Sequence, residues 1–410
     1  MTGDYQRQLA LLRQHVARID RKYEDATPRP PRAAPPAPDL PGSEIETSFG
    51  RHWEMEKLYE RHRRHGSYEI ADLAELPCDL FRAISNGTIS GAPPETWAFL
   101  DTETTGLAGG SGTLAFLIGV GRITPEGFRV RQFFLREHGE ETSALNALAD
   151  HLRQFQVMVT YNGKAYDQPL LETRFRMTRT RPPFGPLEHV DLLHSSRRLW
   201  NLRLESCRLV ELENQILGVE RHGDIPGDMI PYVYFDYLRT RESARLMGVF
   251  HHNAMDILTL ACLSGIVPRA FRPPDEIGAR HGAELAGLGR WWRQMNEPEH
   301  ALTLFRQAVD RGLPDDLMFR TLWDIARLEK KSGRTEAALP VWTDLAASKN
   351  AFQFPALEEL AKYYERRERN FSMALEMTRA ALQLNRTPSM EQRKMRLEKR
   401  VMGLKNGNLL

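Results

Sequence analysis

Two acids one residue apart, Asp101 and Glu103, close the apolar run Trp97-Ala98-Phe99-Leu100. Such a run reads as a buried strand. Alternate residues of a strand face the same side of its sheet, so both carboxylates share one face at the strand's end. Like charges at that spacing repel, and burying them is costly without a cation between them. The chain must fold so that a cation reaches the pair, or leave it in water as a solvated strand end. With oxygen ligands and no Cys or His beside them, the cation that fits is Mg²⁺ or Mn²⁺ rather than Zn²⁺.

The length leaves room for two or three domains. A formal net charge of +2 is close to neutral, so the whole chain does not announce a polyanion partner. The three cysteines, Cys78, Cys207 and Cys262, are far apart and lack CxxC spacing. That argues against a structural zinc site and for a reducing compartment. No signal peptide is visible and no apolar run reads as long enough to span a bilayer, so a cytoplasmic chain without membrane attachment is expected.

Residues 1–26 are expected to hold an amphipathic helix, with Leu9, Leu12, Val16 and Ile19 on one face, and 27–43 a Pro/Ala-rich linker. Residues 44–94 are expected to extend the next domain, with Ile45 to Tyr59 lying against it. From 95 to 270 the pattern is α/β. Strands are predicted at Trp97–Leu100, Leu114–Ile123, Phe128–Leu135 and Val157–Tyr161, with a short one at Val190–Leu193. Helices are predicted at Glu141–Gln154, Tyr166–Met177, Arg203–Leu217 and Ser243–Ile266. Three strands in an antiparallel meander, a helix and a further strand match the order of a ribonuclease-H-like mixed sheet flanked by helices.

Residues 275–410 read as all-helix. Ala301-Leu302, Ala338-Leu339 and Ala374-Leu375 recur about every 36–37 residues, each after a helical stretch. A small residue at a fixed place lets paired helices approach closely. The region resembles tetratricopeptide (TPR) repeats, and such a stack offers a concave surface to a protein partner; an unrelated helical bundle is the alternative.

Further acids accompany the first pair. Asp167 falls near the start of a helix, where the helix dipole favours its charge, shortly after an apolar strand and the turn Asn162-Gly163. Asp256 lies on an apolar helix, a poor place for a lone carboxylate, with His252 one turn earlier on the same face and His251 five residues earlier.

The order Asp-x-Glu, then Asn162 with Asp167, then His with Asp256 resembles the DEDD superfamily of 3′–5′ exonucleases, over about residues 95–268. It is similar in particular to the YprB-type ribonuclease-H-like domain, through the stretch Phe99 to Thr113, through His189 to Leu193 with Arg197 to Trp200, and through Gly223 to Gly227. The resemblance implies that Asp101, Glu103, Asp167 and Asp256 hold two Mg²⁺ or Mn²⁺ ions, one of which activates a water. It implies a histidine as general base. The superfamily places that base either four or five residues before the last Asp, and this chain has His at both; His252 is preferred over His251.

Substrate contacts are expected from Thr102, Thr104, Asn162, Tyr166, Arg197 and Arg198. Arginines at 174, 176, 179, 181, 197, 198, 203 and 208 give the stretch a basic character suited to a phosphate backbone. Tyr161, Tyr166, Phe184 and Trp200 offer rings for stacking, with a core role as the alternative. His189, Asp191 and His194 lack a zinc pattern and are expected to serve structure. The Gly106–Gly112 loop lacks the phosphate-loop Lys and reads as a tight connection. The expected function is metal-dependent cleavage of single-stranded DNA or RNA ends. A catalytically weak nucleic-acid-binding or scaffold protein is the alternative.

Overall fold

The computed structural model describes residues 40–85, 87–106, 112–273 and 280–407. The expected N-terminal helix and all but the end of the Pro/Ala-rich linker lie outside these residues, as does most of the Gly106–Gly112 loop. A seven-stranded mixed sheet is built from β1 (Ser43–Thr47), β2 (Gly50–Glu60), β5 (Trp97–Thr104), β6 (Ala115–Thr124), β7 (Gly127–Phe134), β8 (Val157–Thr160) and β9 (Glu188–Asp191), in the order β1-β2-β7-β6-β5-β8-β9. The strands β3 (Arg64–His65) and β4 (Tyr68–Glu69) form a separate small ribbon. Pairing is antiparallel from β1 through β5, and parallel for β5 with β8 and β8 with β9.

Strand β5 divides its residues between two cores. Trp97 and Phe99 pack in the cluster that holds Ile257 and Leu258. Ala98 and Leu100 pack with Leu145, Leu148 and Leu171. Helices α1 (Glu141–Leu152) and α2 (Asp167–Met177) therefore cover one face. On the other lie α3 (Leu192–Trp200) and, beyond α4 (Leu209–Leu212) and α5 (Ile230–Thr240), the long α6 (Leu246–Ile266). By length and composition the stretch from Leu246 to Phe271 is apolar enough to cross a membrane, which the sequence reading did not see, but 78% of its apolar window is buried inside the protein. It is the core helix against which the sheet packs.

Two helix and strand expectations change. Strand β9 ends at Asp191, because the Asp191 carboxylate accepts from the Leu193 amide and starts α3. The helix expected over Arg203–Leu217 shrinks to α4 and a π-helical turn, Glu213–Leu217. Leu202 and Leu204, two residues apart, both pack against the core, and the Tyr161 hydroxyl holds the Cys207 carbonyl, so this stretch runs as an irregular strap.

The C-terminal region is all-helical: α7 (Gly282–Gln294), α8 (Pro298–Asp310), α9 (Asp315–Lys331), α10 (Thr335–Ala347), α11 (Gln353–Tyr363), α12 (Phe371–Leu384) and α13 (Pro388–Gly407). Neighbours in sequence pack on one another. Ala301, Ala338 and Ala374 are fully buried, and Ala338 clusters with Ala326 of α9 and Ala356 of α11. The region is docked on α3: a Cβ on Gly287 would lie 2.4 Å from the Arg198 carbonyl oxygen, and Arg203 pairs with Glu284 at 2.6 Å.

Candidate active site

The carboxyl ends of the parallel strands β5, β8 and β9 meet at one rim of the sheet, the place where open α/β sheets take ligands. Asp101 and Glu103 stand at the end of β5, where the register shifts between Glu103 and Thr104. An irregularity of this kind re-aims side chains at a strand's end. Asp167 opens α2 beyond the end of β8, and its Oδ1 accepts a hydrogen bond of 2.5 Å from Thr102 Oγ1.

Asp256 arrives on α6, which approaches the sheet over glycine. Gly119 pairs with Asp101 across the ladder, and a Cβ there would sit 2.2 Å from Asn253 Oδ1 and 2.3 Å from Ile257 Cδ1. Only the missing side chain lets the helix come this close. The gap is used by a buried amide chain. Gln132 Nε2 donates to Asn253 Oδ1 at 2.8 Å and to the Phe250 carbonyl at 2.9 Å. Asn253 Nδ2 donates to Asp101 Oδ2 at 2.8 Å. Sequence reasoning gave Asn253 no part. Its signal was a polar residue on an apolar helix opposite two glycines, Gly119 and Gly121, in an apolar strand.

The acids repel one another. Burial first, then the carboxylates of Asp256 and Asp167, push the Asp101 carboxyl well above the usual range. Glu103 is raised well above it too, by burial and then by Asp101, Asp256, Asp167 and Asp224. Burial raises Asp167 to about 6 against the pull of the Thr102 hydrogen bond. Asp256 is raised by burial although Arg221 and His252 pull it down.

The two histidines part company. His252 is largely buried, its Nδ1 lies 2.8 Å from Asp224 Oδ2 and its Nε2 lies 3.6 Å from Asp256 Oδ2. His251 is the more exposed of the two, and partial burial and then Lys57 lower its pKa. Behind His252 lies a charge network that the sequence did not reveal. Arg221 pairs with Glu213 at 2.5 Å, with Asp256 Oδ1 at 2.6 Å and with Asp224 at 3.2 Å. Glu213, wholly buried on the π-helical turn, also faces His65 Nε2 at 3.2 Å.

The remaining candidates spread along the rim. Thr104 Oγ1 donates to the Gly106 carbonyl at 2.9 Å. Asn162 takes a left-handed conformation with φ 69°, and its amide donates to Asp191 Oδ1 at 2.8 Å. Asp191 also holds the Lys164 amide at 3.1 Å, so it shapes this loop, and His189 bonds Thr160 and Gln168 at 2.8 and 2.6 Å. Tyr166 is 59% exposed beside Asp167. Arg197 and Asn162 line one open groove of about 610 Å³, with Tyr161, Asn201 and Arg208. Arg198 is exposed next to it. The basic stretch is less free than its composition suggests: Arg174, Arg176 and Arg203 pair with Glu141, Glu172 and Glu284. Trp200 and Phe184 are buried in the core.

Asp101, Glu103, Asp167 and Asp256 present only oxygen donors, close enough that Asp256 and Asp167 raise Asp101 and all three raise Glu103, and this chemistry fits Mg²⁺ or Mn²⁺. Among the described residues, however, no three His, Cys, Asp or Glu side chains close on a single point. Asp256 is drawn instead to the Arg221 guanidinium.

Residues 98–267 match the RNase_H_2 model of the RNase_H superfamily. The chain is 33% identical to the YprB protein of Bacillus subtilis (strain 168) over 328 residues, 79% of this chain and 78% of that one. Among solved structures it resembles the family B DNA polymerase from the hyperthermophilic archaeon Pyrobaculum calidifontis at a TM-score of 0.34 and 18% identity, over 50% of this chain and 30% of the polymerase.

Proposed function

We infer the function from one premise: the chain belongs to the family of Bacillus subtilis YprB and carries an RNase_H superfamily domain. That superfamily suggests a nuclease. Our reading is a 3′–5′ exonuclease of DEDD type that hydrolyses phosphodiester bonds at single-stranded DNA or RNA ends. The observation that carries it is the crowding of four acids from three elements at one sheet rim, beside a histidine oriented by a further acid.

Asp101, Glu103, Asp167 and Asp256 would hold two Mg²⁺ or Mn²⁺ ions. Bound there, such ions supply charge neutralisation at the scissile phosphate and a more acidic water. The protein's own groups do the rest. His252 is the base in our assignment: with its Nδ1 proton given to Asp224, Nε2 is left to accept the proton of the attacking water. His251 points to no acid at hydrogen-bond distance among the described residues and takes no part. Thr102 keeps Asp167 in place, and Asn253 keeps Asp101 in place. Arg197 and Asn162, which line one groove, are suited to the strand's phosphates and the exposed Tyr166 to an end base. The C-terminal helices, read as TPR-like, would recruit a protein partner or guide the strand.

The test is direct. Purified protein is mixed with end-labelled single-stranded DNA and RNA, with Mn²⁺ or with chelator. Metal-stimulated shortening from the 3′ end is expected, and its loss in Asp101→Ala. No cleavage of either polymer by the wild type would favour a binding or scaffold protein; full activity in Asp101→Ala would remove the four-acid site.

A further inference from the structure

Arg221 is the unusual member of this site. Its side chain is 5% exposed and it serves three acids at once: Glu213 through Nε at 2.5 Å, Asp256 through Nη2 at 2.6 Å and Asp224 through Nη1 at 3.2 Å. Glu213 is fully buried, on a π-helical turn, a form that recurs at functional sites. If Arg221 moved away, Glu213 would be left as a buried charge with only the His65 ring beside it. The guanidinium is therefore pinned from behind, while its outer nitrogen occupies one oxygen of Asp256. A carboxylate held this way cannot turn both oxygens toward an incoming ion.

We propose that Arg221 is an internal counter-ion that competes with a divalent ion for Asp256, so that the ion position Asp256 completes is the weaker of the two. This rests on the reading of the four acids as metal ligands. Without the ion, Arg221 keeps Asp256 from facing Asp101 and Glu103 unneutralised. When the ion arrives, it must displace a charge-assisted hydrogen bond rather than enter an open place. Glu213 sets the balance: by sharing the guanidinium's charge it weakens Arg221's hold on Asp256.

The two buried charges then act with opposite sign, which a purely structural role would not produce. The measurement is a calorimetric titration of the full-length chain with Mn²⁺ alone, no nucleic acid present. The wild type is expected to show a tight and a weak class of site. Arg221→Gln is expected to tighten the weak class about tenfold, the scale of one charge-assisted hydrogen bond. Glu213→Gln is expected to weaken it. An unchanged or weaker Mn²⁺ affinity in Arg221→Gln overturns the proposal while leaving the metal site standing. Should Arg221→Gln fail to fold, Glu213→Gln decides: weaker binding supports the proposal, and unchanged or tighter binding overturns it. A wild type that takes up no Mn²⁺ overturns both this proposal and the reading beneath it.

Discussion

Asn253 shows how one side chain ties helix to strand. It receives a proton from Gln132 and gives one to Asp101, and it is wholly buried. Asn253→Ala would take away one of the two acceptors of the Gln132 amide and remove Asp101's side-chain donor. The expected cost is about 1–3 kcal/mol in urea unfolding, together with a loss of metal-dependent cleavage. His151 offers a separate test by pH. Burial first, then Arg131 of β7 and Arg122 of β6, lower its pKa to about 4 against the opposite pull of Glu54. The native state thus refuses a proton that the unfolded chain accepts at about pH 6.5. Stability from this group is whole above about pH 6.5 and drains as pH falls toward 4, by on the order of 3 kcal/mol. His151→Gln should flatten that slope relative to the wild type. Residue by residue, the acids Asp101, Glu103 and Asp256 were legible because each stands in an apolar run where a charge needs a reason. The roles of Glu213, Arg221 and Asp224 were not, because what makes them notable is their mutual contact across the fold: Glu213 falls in a stretch read only as a helix, and Asp224 in one whose resemblance assigned it no role.

Among the elements, the meeting of α6 with β6 governs the site. Gly119→Ala places a Cβ within 2.2 Å of Asn253 Oδ1, in the middle of the ladder opposite Asp101. We expect about 1–3 kcal/mol of destabilisation by thermal or urea unfolding, with cleavage reduced further than stability explains because α6 must shift. The meander and its following helix could be read from alternation and helical period. Strand β2 could not. His52 and Glu54 are buried as a polar pair that bonds Ser143 and Arg131, and they interleave with Trp53 and Met55 packed on the opposite face, so apolar and polar residues do not sort into a buried and a solvent face. The helix expected over Arg203–Leu217 starts late for a related reason: its leucines suit a helix in composition, but Leu204 packs on the core with Leu202, two residues away, and helical packing begins only at Leu209.

At the scale of the molecule, the sheet region and the helical region share a wall. Helix α7 lies so close to α3 that Gly287 has no room for a side chain, and Arg203 reaches Glu284 across the join. Gly287→Ala should lower the melting temperature by calorimetry and, because α3 carries Arg197, weaken binding of single-stranded nucleic acid in a filter assay while leaving Mn²⁺ uptake unchanged. That the chain changes from α/β to all-helix was plain in its sequence, from the recurring Ala-Leu pairs; that the two regions touch through α3 was not, since a glycine on a helix says nothing about which surface it meets. Among the described residues the sheet also has two margins without a partner strand. One is β1, only five residues long and carrying Glu44 and Glu46; the other, β9, is shielded where Glu188 accepts from the amide and hydroxyl of Ser90. A chain trimmed to begin at β5 would lack β1 and β2 and leave β7, rich in Phe and Val, as a bare template for a second molecule. With β1 and β2 in place the sheet instead ends on a brief strand bearing two acids, and shortened versions should be judged first by whether they stay monodisperse.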